Sequence, residues 1–249
     1  MYMPPAFEEN DPDVLWGIVK AHPLGLMISR DGEGVLANPI PFEVTKADGK
    51  TVLTAHRDLA GQNVLVVFQG ANTYVTPQWY ESKREHGKVV PTWNYAVIQV
   101  RGTARLIDDR DWLLAQVNRL TDHHEANVGQ GASWKVSDAP DDFIQSQIKG
   151  IVGIEIDVTQ LTGKLKTSQN RPVPDRAGVA AGLAEFGREE RGDLHGDGGS
   201  PAPAPAGKAR AGRAGQRQPV HPAVQAEAAV FGGDPAAAPL PPPRPPPPP

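Results

Sequence analysis

The chain of 249 residues carries a formal net charge of −4 and no cysteine, which excludes disulfides, thiolate catalysis and Cys-ligated zinc or iron–sulfur sites. It has no basic block that would give the electrostatic footprint of a nucleic-acid binder, so direct DNA binding is not expected. No window reaches the roughly 18 uninterrupted apolar residues of a membrane span and no leader pattern opens the chain, so a soluble cytoplasmic protein is expected.

Asp11 or Asp13 is placed to cap a helix through about Ala21, with Val14, Leu15, Ile18 and Val19 on one face. Leu24–Ser29 and Val35–Val44 read as strands joined by Arg30-Asp31-Gly32-Glu33-Gly34, whose glycines suit positive φ. Pro39 and Pro41 make the end of that second strand an edge or a bulge. Further strands are predicted over Thr51–His56, Val64–Gln69 and Thr73–Thr76. The longest runs over Trp93–Ile107, where Ala96, Ile98 and Val100 form an apolar face opposite Tyr95, Val97, Gln99 and Arg101. Asp108–His124 reads as a helix with Trp112, Leu113, Gln116, Val117 and Leu120 in a stripe. A short helix around Phe143–Ile148 and a strand over Ile151–Val158 complete an α+β barrel with peripheral helices. No Gly-x-Gly-x-x-Gly or P-loop pattern is present, which removes Rossmann and P-loop readings.

Composition shifts after about Leu183. Residues 1–183 are expected to be the folded domain, and 184–249 a disordered Ala/Gly/Arg/Pro-rich tail with too little apolar surface to offset its ordering entropy. Its terminal prolines favour polyproline II, and its composition also fits GC-rich codons read out of frame.

Two distant signatures carry the chemistry. Val89-Val90-Pro91-Thr92-Trp93-Asn94-Tyr95 puts a rigid turn before a run of ring and amide groups that leads into a strand. Gly163-Lys164-Leu165-Lys166-Thr167-Ser168-Gln169-Asn170-Arg171 gathers cations, a hydroxyl and amides. A flavin nucleotide needs both kinds of surface, flat apolar wall for the isoalloxazine and cationic or hydroxyl donors for the phosphate. The bland alternatives are core packing for Thr92, Trp93, Asn94 and Tyr95, and a solvated loop for Lys164, Lys166, Ser168, Gln169, Asn170 and Arg171. His123, His124 and Glu125 do not make a metal site, because adjacent helical residues point about 100° apart. Trp79, Tyr80, Lys83 and Arg84 read as a packed turn rather than a nucleic-acid stacking surface.

Both signatures resemble those of the PaiB-type FMN-binding negative transcriptional regulators. So do Met1-Tyr2-Met3-Pro4-Pro5-Ala6-Phe7, His22-Pro23-Leu24-Gly25, Pro39-Ile40-Pro41-Phe42, Phe68-Gln69-Gly70 and Tyr74-Val75-Thr76-Pro77-Gln78-Trp79-Tyr80. The resemblance covers roughly residues 1–183. It implies an FMN-binding split β-barrel, similar to flavin reductases and pyridoxamine-phosphate oxidases, acting as a homodimer whose subunits share cofactor sites. It implies FMN as cofactor, the residues of both signatures as its contacts, and indirect negative regulation of transcription. Where the family carries Gly-His-(Leu/Val)-Ala-Arg-Ala-Asn-Pro, this chain reads Ala55-His56-Arg57-Asp58-Leu59-Ala60-Gly61-Gln62-Asn63. That loop is short and lacks Ala-Asn-Pro, so only His56 carries over as a cofactor contact, with Arg57 and Asn63 as substitutes. The alternatives are a flavin-dependent oxidoreductase of a small molecule, or a haem-handling split barrel using His56 or His124. Catalytic residues are not assigned.

Overall fold

A computed structural model describes residues 1–30, 33–47, 50–56, 62–128 and 133–191. The hairpin residues Asp31 and Gly32, the loop residues 57–61 including Arg57, and residues 192–249 of the proposed tail lie outside them.

The chain divides into two compact units, one of Met1–Thr73 with Trp93–Thr167 and the other of Tyr74–Thr92 with the chain from Ser168 onward. The first unit is built on β1 (Glu8–Glu9), β2 (Leu24–Arg30), β3 (Val35–Pro41), β4 (Glu43–Ala47), β5 (Lys50–His56), β6 (Asn63–Val75), β7 (Thr92–Ile107) and β8 (Gly153–Lys166). These form one sheet in the order β3-β2-β6-β7-β8-β5-β4, with β1 added on β8. Curled on itself, this sheet is a split half-barrel in a mixed α and β fold.

Alternation decides which side chains enter the core. Met27, Val66, Phe68, Ile98, Val100, Ile154 and Ile156 face inward and are buried, with Phe42 set edge-on to Phe68 at 5.8 Å between ring centroids. Helix α1 (Pro12–Ala21) adds Leu15, Ile18 and Val19 to the same core. Its N-cap is Asp11, whose carboxylate accepts from the Asp13 backbone N–H at 2.9 Å, and Pro12 sits where its missing N–H costs nothing. Helix α3 (Arg110–Val128) begins where the Asp109 carboxylate accepts from Trp112 N–H, and α4 (Asp141–Ile148) buries Ile148.

Several boundaries differ from the sequence reading, each for a packing reason. The strand expected from Val35 to Val44 is two, broken at Phe42, with the prolines of β3 on the sheet edge. Conversely, Val64–Gln69 and Thr73–Thr76 belong to the single strand β6. Gly70 there is not a turn; a Cβ on it would come within 3.1 Å of Ala96 and 3.2 Å of Ile18, so it permits close approach. Strand β8 runs on through the polar stretch Thr159–Thr162 to Lys166, because β7 pairs along its whole length.

In the second unit, α2 (Glu81–His86) and α5 (Val173–Arg191) pack with the turn Pro77–Trp79, burying Val75, Tyr80 and Val179. Helix α5 continues past Leu183, where composition shifts. Pro174 is tolerated in its first turn, and Gly178 and Gly182 recur on the face that meets Trp79, where a Cβ would collide with its carbonyl and its indole.

A bulge interrupts β7–β8 pairing between Arg101 and Gly102, and a Cβ on Gly102 would strike the Asp157 backbone carbonyl. Gly102→Ala should therefore lower stability by about 2 kcal/mol. Gly17→Ala, at an exposed helical position with open space around it, should raise stability by about 0.5–1 kcal/mol. Urea denaturation checks both, and equal midpoints for the two variants would contradict the packing account.

Candidate functional site

The two signatures meet across one antiparallel pair. Tyr95 on β7 is in register with Lys166 on β8, and Val97 with Lys164. Both lysine ammonium groups consequently reach the same phenol: Lys164 Nζ lies 5.4 Å and Lys166 Nζ 5.9 Å from the Tyr95 ring centroid. Lys164 is only 8% exposed, and no carboxylate pairs with it among the described residues. It is held instead by the amino-terminal segment. Its Nζ donates to the Tyr2 carbonyl at 3.1 Å and lies 5.6 Å from the Tyr2 ring, which β1 positions through the Glu8↔Lys164 register. A buried cation with aromatic and carbonyl neighbours but no counter-ion is an electrostatic environment that favours an anion.

Alternation divides the first signature. Trp93 and Tyr95 share a face of β7, with Trp93 54% exposed, whereas Asn94 is wholly buried on the core face with Ala96. A flat ring is thereby presented beside the cations, and Thr92 begins the strand. The alternative of a solvated loop does not apply to Lys164 and Lys166, since both lie within β8.

After β8 the chain makes the turn Ser168-Gln169-Asn170-Arg171, closed by Arg171 N–H donating to the Ser168 carbonyl at 2.9 Å. Ser168 is 3% exposed and adopts φ 66, the one left-handed non-glycine among the described residues. Such conformations carry a cost of order 1–3 kcal/mol, and they cluster at sites where the backbone is held for a purpose. Within the same unit, Arg171 lies over the Tyr80 ring at 4.5 Å, and buried Asp175 accepts from Ser82 N–H at 2.9 Å and from Ser82 Oγ at 3.0 Å. Burial pushes the Tyr80 phenol above its ordinary value, the Arg171 charge opposes this, and the Asp175 charge adds to it.

His56 pairs with Gly153 through the backbone at the end of β5, and Asn63 accepts from Thr103 Oγ1 at 3.1 Å. Sequence reasoning did not assign Tyr2 to the site, although it stands in the opening Met1–Phe7 motif. Among the described residues no group of three or more His, Asp or Glu side chains is arranged to hold a metal, and no helix is long and apolar enough to cross a membrane.

A family model described as "Putative FMN-binding domain" matches residues 1–160. The chain is 41% identical over 135 residues to an uncharacterized protein of Emericella nidulans, AN0679, covering 51% of this chain and 54% of that one. It thus spans about half the length of that fungal relative. It is 29% identical over 189 residues to protease synthase and sporulation protein PAI 2 of Bacillus subtilis, covering 72% and 87%. Among solved structures, the FAD and heme binding protein from Mycobacterium smegmatis aligns at 16% identity and a TM-score of 0.45, covering 88% and 96%.

The environment of Tyr80 sets a pH dependence. Absorbance titration should show a phenol ionising above 10.0 that is absent in Tyr80→Phe, and Arg171→Met should move it higher still. Because the unfolded phenol ionises first, stability should fall as pH rises from about 10 through the pKa of folded Tyr80. A titration unchanged by Tyr80→Phe contradicts the assignment.

Proposed function

The chain belongs to the PaiB-type FMN-binding family, and from that premise we propose that FMN lies against the Tyr95, Lys164 and Lys166 cluster. FMN is the cofactor that membership assigns. The observation that carries the placement is the β7–β8 register, which sets two ammonium groups beside one ring and leaves the more buried of them without a carboxylate. These residues fit the group. Lys164 and Lys166 would meet the phosphate, while Trp93 and Tyr95 offer flat surface to the isoalloxazine. His56 in the same unit is proposed as a further contact, and Thr92, Ser168, Gln169, Asn170 and Arg171 are proposed from the family resemblance alone, with Gln and Asn amides suited to carbonyl and N–H edges. Asn94, on the core face, would act by holding the strand start.

Bound FMN supplies electron and hydride exchange, and the protein supplies orientation and exclusion of water. Lys164 would be kept in place by the Tyr2 carbonyl, presenting its ammonium group from a fixed position. The domain is proposed to run from residue 1 through 183 into α5, with the low-complexity tail beyond. We place it in a homodimer whose subunits share cofactor sites, as the family resemblance implies.

Regulation of transcription is proposed to be indirect, through flavin occupancy or redox state acting on a partner or metabolite. The family resemblance supports a control role, while the net charge of −4 argues against phosphate-backbone binding. Salt-sensitive gel-shift binding of promoter DNA by the purified protein would contradict that route. A second reading, flavin-dependent reduction of a small molecule, is favoured by the exposure of Trp93 beside the proposed ring site. Bleaching of the bound flavin by NADH or NADPH, with turnover on an acceptor, distinguishes it.

Titration of FMN into the full chain should quench flavin fluorescence saturably. Lys164→Gln should weaken binding about tenfold or more, as expected for loss of a charge-assisted contact. No quenching by the parent protein, or an unchanged affinity in Lys164→Gln, would refute the placement.

A further inference from the structure

The outer face of the first unit holds a groove of about 520 Å³ that is lined by none of Trp93, Tyr95, Lys164 and Lys166, and, of the residues named for the flavin, only by the substitute Asn63. It crosses the sheet through strands that are neighbours in the order β3, β2, β6, β7 and β8. Val35 comes from β3, Ile28 and Arg30 from β2, Leu65 from β6, Arg101 from β7 and Thr159 from β8. The pairings Arg30↔Val35 and Ile28↔Leu65 bring these residues side by side. Inward-facing Met27, Val64 and Val100 are buried, so alternation puts Ile28, Arg30, Leu65 and Arg101 together on the outer face. The concavity falls where β8 carries an extra residue, Thr159, against the Arg101–Gly102 step of β7, an irregularity that bends a strand and re-aims its side chains.

Neither Arg30 nor Arg101 has an ion-pair partner among the described residues. Two unpaired guanidinium groups therefore line a groove whose other walls include isoleucine, valine and leucine. Guanidinium matches the planar geometry of carboxylate and phosphate oxygens, and the apolar walls suit a hydrocarbon or ring body.

We propose that this groove binds a small organic anion, a carboxylate or phosphate ester with an apolar body, between Arg30 and Arg101. The site is separate from the flavin cluster. Arg101 lies next to the bulge, opposite Gln160, whereas Tyr95 lies opposite Lys166, about 20 Å away along the same strand pair. The inference goes beyond the flavin reading and does not rest on it.

Calorimetric titration of the full chain with benzoate, phenyl phosphate and inorganic phosphate tests the proposal and separates the two headgroups. Saturable binding of benzoate or phenyl phosphate is expected, at least tenfold tighter than inorganic phosphate. Arg30→Ala and Arg101→Ala should each weaken it about tenfold or more, with FMN affinity and melting temperature unchanged. Arg101→Lys should retain part of it, since the charge remains without the planar fork. No saturable binding of either aromatic probe up to about 10 mM overturns the proposal, as does inorganic phosphate bound as tightly as phenyl phosphate. Dissociation of the parent protein's oligomer by the alanine variants, without a change in probe binding, also overturns it, because the groove would then serve a second copy of the chain.

Discussion

The antiparallel pairing of β7 with β8 is the constraint on which the first unit depends. It runs from Tyr95↔Lys166 to Ile107↔Gly153 and joins segments that are far apart in sequence. Its inward side supplies Ile98, Val100, Ile154 and Ile156 to the core, so its register is fixed by burial: a slip of one residue would turn those side chains to water. The same register fixes the site. Tyr95 meets Lys164 and Lys166 only because the hydrophobic alternation beneath them admits no other alignment. Further along the pair, the extra residue Thr159 resets the phase of β8 opposite Arg101 and Gly102, where the outer-face groove lies.

Electrostatic isolation gives this arrangement its chemical character. Lys164 is buried against the Tyr2 carbonyl and two phenol rings, which can orient an ammonium group but cannot neutralise it. Buried Glu155, by contrast, has its charge answered by Arg105. Among the described residues one buried charge thus meets an opposite charge at ion-pair distance and the other does not, which is consistent with an FMN-binding family and with a phosphate-bearing cofactor.

Much of the scaffold was legible because it obeys simple periods. The Asp11 cap, the Leu15, Ile18 and Val19 face, and the alternation of Ala96, Ile98 and Val100 are visible in the sequence and present in the structure. Glycine and polar runs were the source of error. Gly70 falls in the gap between two expected strands but is a point of close packing, and Thr159–Thr162 lies past the expected strand end at Val158 but belongs to β8. In the candidate site the cations and rings were identifiable by composition. Their register was not, because pairing partners are set by the whole sheet rather than by local sequence. For the same reason Tyr2 escaped notice, since its role depends on β1 adding to β8.

The claim that Tyr95 and Lys164 act on FMN as one unit is tested most directly by a double-mutant cycle in FMN affinity with Tyr95→Leu, Lys164→Met and the double variant. Residues in contact around a shared ligand should show non-additive losses, with a coupling of about 0.5 kcal/mol or more. Strictly additive losses, or single variants that bind FMN as the parent does, would contradict a cofactor site built on the β7–β8 register.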